Sequence, residues 1–198
     1  MFKTIKENIS AEIVEKKSKF IANILYVESK EESEKIIKDI NKKYYDARHN
    51  CYAYRITEEN VTIEKSSDDG EPSGTAGSPL LNILSKNNLS NILVIVTRYF
   101  GGILLGTGGL VRAYSTACNQ AIEKAEIIDM DLYELYEIEI PYEESKNFRH
   151  YAQENNIIIK NEEYLDIIKF KIALKDVEVL NKKEIYVKTI KKIGKIYA

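Results

Sequence analysis

The sequence predicts an α+β protein of two small domains, spanning residues 1–129 and 130–198. Three observations carry this expectation. Short runs of strand type alternate with amphipathic stretches of helical period along all 198 residues. Eight of the nine glycines and two of the three prolines fall between Gly70 and Gly109. That same stretch holds a helix start and a fully apolar strand, so its glycines punctuate packed structure. Around Ile128 to Asp131 the pattern restarts, and strand, helix, strand, strand, helix follow in under 70 residues.

In the first domain, Ser10 to Lys16 and Phe20 to Val27 are β-prone runs on either side of a charged turn, Lys17-Ser18-Lys19. Ser29 and Glu32 form a capping-box pair, after which Ile36, Ile37, Ile40 and Tyr44 recur at helical spacing. Asn50 to Ile56 and Val61 to Lys65 make a second strand pair around Glu58-Glu59-Asn60. Ser78 as N-cap, with Pro79 first in the helix, opens a helix carrying Leu80, Leu81, Ile83 and Leu84. Asn91 to Thr97 is a short buried strand. Beyond the loop Gly101 to Gly109, a helix sets Val111, Tyr114, Cys118, Ala121, Ile122 and Ala125 on one face.

In the second domain, Tyr136, Ile138 and Ile140 alternate with Glu137 and Glu139, the pattern of a half-buried strand. A helix with Phe148, Tyr151 and Ala152 inside follows, then strands at Ile157 to Lys160 and Leu165 to Leu174. A last helix is expected from Val177. Six lysines crowd this end: Lys182, Lys183, Lys188, Lys191, Lys192 and Lys195, with Glu184 the one acid among them. They read as a solvated helix face or as a basic foot for RNA or the ribosome.

Composition narrows the function classes. Apolar residues at 44% and charged residues at 30% are ordinary globular proportions. No apolar run reaches spanning length, and the N-terminus carries charges where a signal peptide needs an apolar block. A cytoplasmic protein with no membrane partner is therefore expected. Cys51 and Cys118 are too few for a disulfide framework and match no zinc spacing, so neither metal nor cofactor is expected. With a net charge of −2, any polyanion site has to be a local patch.

Two elements hold the candidate chemistry. In the first, Asp68, Asp69, Gly70, Glu71, Ser73, Gly74 and Thr75 lead three carboxylates through tight backbone to a helix start. In the second, Arg98, Tyr99, Phe100, Gly101 and Gly102 lead through Gly106, Thr107, Gly108 and Gly109 to Arg112. A strand end that meets a glycine loop and a helix start is a common setting for an anion at free backbone amides. Between Asn87 and Ile122 the only charged side chains are Arg98 and Arg112. Arg112 is expected in the first helical turn, where the macrodipole disfavours a cation unless an acid lies nearby. That acid is either a ligand or one of Asp68, Asp69 and Glu71. Tyr99 and Phe100 sit at adjacent strand positions, so at most one of them faces the core, and either could stack on a base. His49 and Cys51 share a strand face, which permits a Cys–His pair or a polar wall beside the loops. No Lys-Ser/Thr follows the glycines, so this is no P-loop, and the third glycine of a dinucleotide fingerprint is missing.

Asp69-Gly70-Glu71-Pro72-Ser73-Gly74-Thr75-Ala76-Gly77 with Pro79, and Arg98-Tyr99-Phe100-Gly101-Gly102 with Leu105-Gly106, Gly108-Gly109-Leu110 and Arg112-Ala113-Tyr114, resemble the motifs of the IMPACT/YigZ family of translation regulators. Ala47-Arg48-His49-Asn50-Cys51-Tyr52-Ala53-Tyr54 resembles that family as well. The resemblance implies a first domain like the second domain of a ribosomal protein, and a ferredoxin-like βαββα second domain like the last domain of elongation factor G. It implies a translation-associated function with RNA, the ribosome or a protein partner in translation control, and it attaches no enzymatic activity. A different class is compatible with the residues alone: an enzyme or sensor holding a small anionic metabolite in the glycine arc, with Glu71 and Asp69 as acid/base groups.

Overall fold

The computed structural model describes residues 1–58, 61–181 and 185–198. Residues Phe2–Asp129 form one compact unit and residues 130–198, with Met1, another. The expected turn at Glu59 and Asn60, and Lys182, Lys183 and Glu184, lie outside the described residues.

The first unit begins with β1 (Phe2–Ile5), β2 (Ile9–Glu15), β3 (Ser18–Tyr26), α1 (Lys30–Lys43), β4 (His49–Glu58) and β5 (Val61–Ser67). It continues through α2 (Gly77–Lys86), β6 (Ile92–Tyr99), α3 (Gly106–Lys124) and β7 (Ile127–Met130). Strands β2-β3-β6-β4-β5 form one antiparallel sheet, and β1 pairs with β7 in a second of two strands. The short β1 and β7 carry too few residues for a periodic signal, and sequence reading misses both.

Helices cover both faces of the large sheet, which explains the apolar run in β6. Ile92, Val94 and Val96 point into the core shared with α2 and α3, through Leu80, Leu84, Leu110 and Tyr114. Leu93 and Ile95 point the other way, packing with Ile37 of α1 and with Tyr54 and Ile56 of β4. A central strand buried on both sides has no polar face to alternate with.

Ser29 caps α1 as expected, its Oγ accepting the Glu32 N–H, while Glu32 reaches back to the Glu28 N–H rather than to that of Ser29. The β2–β3 turn falls one residue earlier than expected. Lys16 and Lys17 take φ of 44° and 64°, a two-residue connection whose positive φ values suit the twist of the hairpin, and Ser18 already belongs to β3.

The second unit holds β8 (Leu132–Ile140), α4 (Ser145–Glu154), β9 (Ile158–Tyr164), β10 (Ile168–Leu174), a 3₁₀ turn at Val177–Asn181 and β11 (Thr189–Tyr197). The sheet order β11-β8-β10-β9 is antiparallel throughout, a ferredoxin-like arrangement. Phe148, Tyr151 and Ala152 of α4 pack on Ile138, Ile140, Phe170 and Ile172.

The end of the chain departs from expectation. Among the described residues, a 3₁₀ turn stands where a helix was expected, and the tail from Thr189 is an edge strand against β8. Lys191 sits opposite Glu137 and Lys195 opposite Glu134, and Lys192 Nζ lies 2.5 Å from Glu134 Oε1. The strand is largely exposed, so its sequence lacks an apolar face, and the pairing that defines it comes from acids fifty residues earlier. Lys191, Lys192 and Lys195 thus belong to an edge strand beside Glu134 and Glu137, and Lys188 flanks it, rather than to a helix face.

Candidate functional site

The site is built at one end of the large sheet. In the antiparallel register, Phe20 of β3, Arg98 of β6 and His49 of β4 lie directly across from one another, on the face that carries α2 and α3. Tyr99, the next residue along β6, points to the opposite face, where its hydroxyl donates to Asp46 at 3.0 Å. Phe100, just beyond the strand, comes back to the side of Arg98.

Two carboxylates organise the loop at 68–77. Asp68 accepts three backbone N–H groups: Gly74 at 2.8 Å, Ala76 at 2.9 Å and Gly77 at 2.8 Å. This carboxylate, not Ser78, caps α2, which starts at Gly77 with no side-chain cap of its own at Ala76. A local cap at Ser78 would also leave Gly77 unexplained. The position has no room for a Cβ, which would lie 2.7 Å from the Ser67 nitrogen. Asp69 accepts the Asn50 N–H at 2.6 Å and so ties the loop to β4. Thr75 is buried and donates to the Pro72 carbonyl at 2.6 Å, whereas Ser73 is exposed on the loop.

Burial works against ionisation of Asp68, and the three N–H groups outweigh it, holding the carboxyl below its ordinary 3.8. A group depressed in the folded state contributes stability above its unfolded pKa of about 4 and loses it as pH falls through the lower folded value. Asp68→Ala is therefore expected to cost about 2 kcal/mol at pH 7 in urea unfolding. The deficit should shrink as both proteins are taken below pH 4. An unchanged midpoint at pH 7 would refute this capping role.

Glu71 answers the question of which acid meets which arginine. Its Oε1 accepts Arg98 Nη1 at 2.5 Å and the Tyr114 hydroxyl at 2.8 Å. Arg98 is only 5% exposed and Glu71 8%. The guanidinium lies between two rings, 5.4 Å from the Phe20 centroid and 5.6 Å from that of Phe100, and Nη2 is 3.5 Å from Ser18 Oγ. Its buried Nε has no hydrogen-bond partner among the described residues. Of the two alternatives the sequence leaves open for Arg98, an internal acid or a ligand, the structure pairs it with the buried Glu71 carboxylate inside the wall.

The expected place of Arg112 is corrected. Helix α3 starts at Gly106, inside the stretch expected to be loop, so Arg112 is its seventh residue and lies beyond the first turn. It is exposed and lines a small hollow with Lys16, Glu15 and Gly109, away from Arg98. Neither Arg112 nor Arg48 has a side-chain ion pair among the described residues.

His49 Nδ1 lies 2.7 Å from the Asp69 carbonyl oxygen and its Nε2 3.8 Å from Glu71 Oε1. The Cys51 thiol is 2.9 Å from the Asp68 carbonyl oxygen and 3.3 Å from the Tyr114 hydroxyl. Burial pushes that thiol up to about 12, so it stays protonated and offers no thiolate for a Cys–His pair. Among the described residues, no group of three or more His, Cys, Asp or Glu side chains could hold a metal ion.

These elements enclose a cleft of about 500 Å³. Of the residues expected in the site, His49, Gly70, Glu71, Arg98, Gly106 and Thr107 line it. Arg48, Phe100, Leu104 and Leu110 also line it, and of these sequence reading singled out only Phe100, weighed against Tyr99. Exposed Arg48 beside His49 was the available signal for the first. Asp69, Ser73, Thr75, Tyr99, Gly101, Gly102, Gly108, Gly109 and Arg112 fall outside its lining. Gly101 instead lies against the β2–β3 turn. Gly102 takes a φ of 83° and Gly106 one of 73°, both in open space, so backbone conformation accounts for these glycines. Gly108 has neither a positive φ nor a neighbour that a Cβ would meet.

A two-unit α+β chain with a glycine-built cleft at the start of α3 defines the class, and comparison with known proteins names it. The sequence model of the Impact N-terminal domain matches residues 16–122. The chain is 37% identical over 175 residues to the IMPACT family member YvyE of Bacillus subtilis, covering 88% of this chain and 80% of that protein. It is 41% identical over 110 residues to YigZ of Escherichia coli, a match that spans 55% of this chain and 54% of the relative. A solved crystal structure of a hypothetical protein superposes with a TM-score of 0.66 at 26% identity, over 98% of this chain and 97% of the other. The protein belongs to the IMPACT family. No helix among the described residues is long and apolar enough to cross a membrane.

Proposed function

We propose that this protein acts in translation control by binding single-stranded RNA along the cleft and the first turn of α3. The observation that carries the reading is the N-terminus of that helix. Residues 106–108 are exposed, no side chain caps them, and the first turn holds no acid. Free N–H groups and the positive end of the macrodipole together favour a phosphate. Unpaired cations flank the turn, Arg48 on the cleft side and Arg112 with Lys16 on the other. Phe100 is 48% exposed and offers a ring on which a base can stack. Gly108 supports the same reading, because a helical glycine without packing or φ constraint costs about 0.5–1 kcal/mol relative to alanine. Close approach of a ligand to the backbone accounts for keeping it.

The test separates binding from stability. Gly108→Glu adds a helix-forming acid to the first turn and is expected to leave thermal stability equal or higher. It should weaken binding of a labelled single-stranded RNA on the order of tenfold at fixed salt, and Arg48→Ala should weaken it several-fold. The measurement is fluorescence anisotropy. Binding of undiminished affinity in G108E rules this site out. A small anionic metabolite that copurifies with the protein and is displaced by the same substitution would replace the RNA reading with a sensor or enzyme.

A further inference from the structure

His49 is oriented in a way that binding phosphate does not require. A carbonyl oxygen can only accept a hydrogen bond, so the 2.7 Å contact with Asp69 O makes Nδ1 the protonated nitrogen. In the neutral ring Nε2 then carries a lone pair, and it makes no hydrogen bond among the described residues. Glu71 Oε1, 3.8 Å away, is already engaged by Arg98 and Tyr114. The loop is built to hold this orientation. Asp69 is tied to Asn50 through its carboxylate, and Gly70 lies against the imidazole, where an added Cβ would come within 3.5 Å of Nδ1. His49 therefore presents a fixed acceptor in a cleft that Arg48 and the start of α3, with its free amides, also line.

Resting on the RNA reading above, we propose that His49 Nε2 accepts the ribose 2′-hydroxyl, making the cleft selective for RNA over DNA. The 2′-hydroxyl is the donor that distinguishes the two backbones, and phosphate and base stacking are common to both. The charged groups facing the ring are Glu71, Arg98 and Arg48 in the cleft and Asp69 in the supporting loop.

The experiment compares three labelled oligonucleotides of one sequence on the full chain: RNA, DNA and 2′-O-methyl RNA, whose 2′-oxygen cannot donate. RNA is expected to bind about tenfold tighter than the other two. In His49→Phe the three should bind alike, at the affinity the parent has for DNA. The modified oligonucleotide probes the same contact on the unsubstituted protein, so a misfolded H49F leaves the test standing. Equal binding of all three by the parent, still weakened by G108E, overturns the His49 assignment and leaves the RNA site intact. No binding of any of them overturns the site itself.

Discussion

Arg98→Ala is expected to destabilise the first unit by about 3–5 kcal/mol, read as a shift in the urea midpoint at constant slope. The substitution leaves Glu71 charged, 8% exposed and short of its closest partner, with only the Tyr114 hydroxyl still donating to it. A lone buried carboxylate has neither water nor a counter-ion to stabilise it. Glu71→Ala should cost a similar amount by stranding the guanidinium between Phe20 and Phe100. The pair itself need not be worth that much, because both ions were desolvated to form it. Arg98→Met combined with Glu71→Leu should recover most of the loss, less about 1 kcal/mol for the Tyr114 hydroxyl left without its acceptor. A single substitution that costs under 1 kcal/mol would mean that water reaches the pair and that the wall is not sealed.

Gly101→Ala is the second large effect, about 3 kcal/mol, and its cause is purely steric. A Cβ at this position would lie 2.0 Å from the Lys17 carbonyl carbon and 2.1 Å from its oxygen. Those are backbone atoms of a tight turn, so no side chain can swing aside. The turn must move and carry Ser18 with it, whose hydroxyl accepts the Gly101 N–H at 3.1 Å and lies near Arg98 Nη2. RNA affinity should fall with stability, since Phe100 and the ion pair share this corner. Gly108→Ala is the internal control, because nothing meets its Cβ and it should gain up to about 1 kcal/mol. Equal stability of G101A and the parent in thermal or urea unfolding would show that the turn yields easily.

How much of this was legible in the sequence follows the range of the forces involved. The strands β3, β4, β8 and β10 and the helices α1, α3 and α4 announce themselves because burial imposes a period on nearby residues, and β6 announces itself by its unbroken apolar run; neither signal needs knowledge of the fold. The family motifs are equally local, being runs of glycine, proline and charge at short spacing. The edge strand β11 is not legible in this way, because it buries little and is defined by hydrogen bonds and acids on distant β8.

The site divides along the same line. That the glycines gather in an arc between Asp68 and Arg112, and so mark a candidate site, can be read from composition alone. Which acid takes Arg98, why Asp68 rather than Ser78 caps α2, and which way Tyr99 and Phe100 point depend on antiparallel register and on contacts 8 to 53 residues apart in the chain. A sequence specifies which residues are hydrophobic, charged or free to turn. The pairing of charges is decided only when the sheet brings them within hydrogen-bond distance and excludes the water that would otherwise satisfy them.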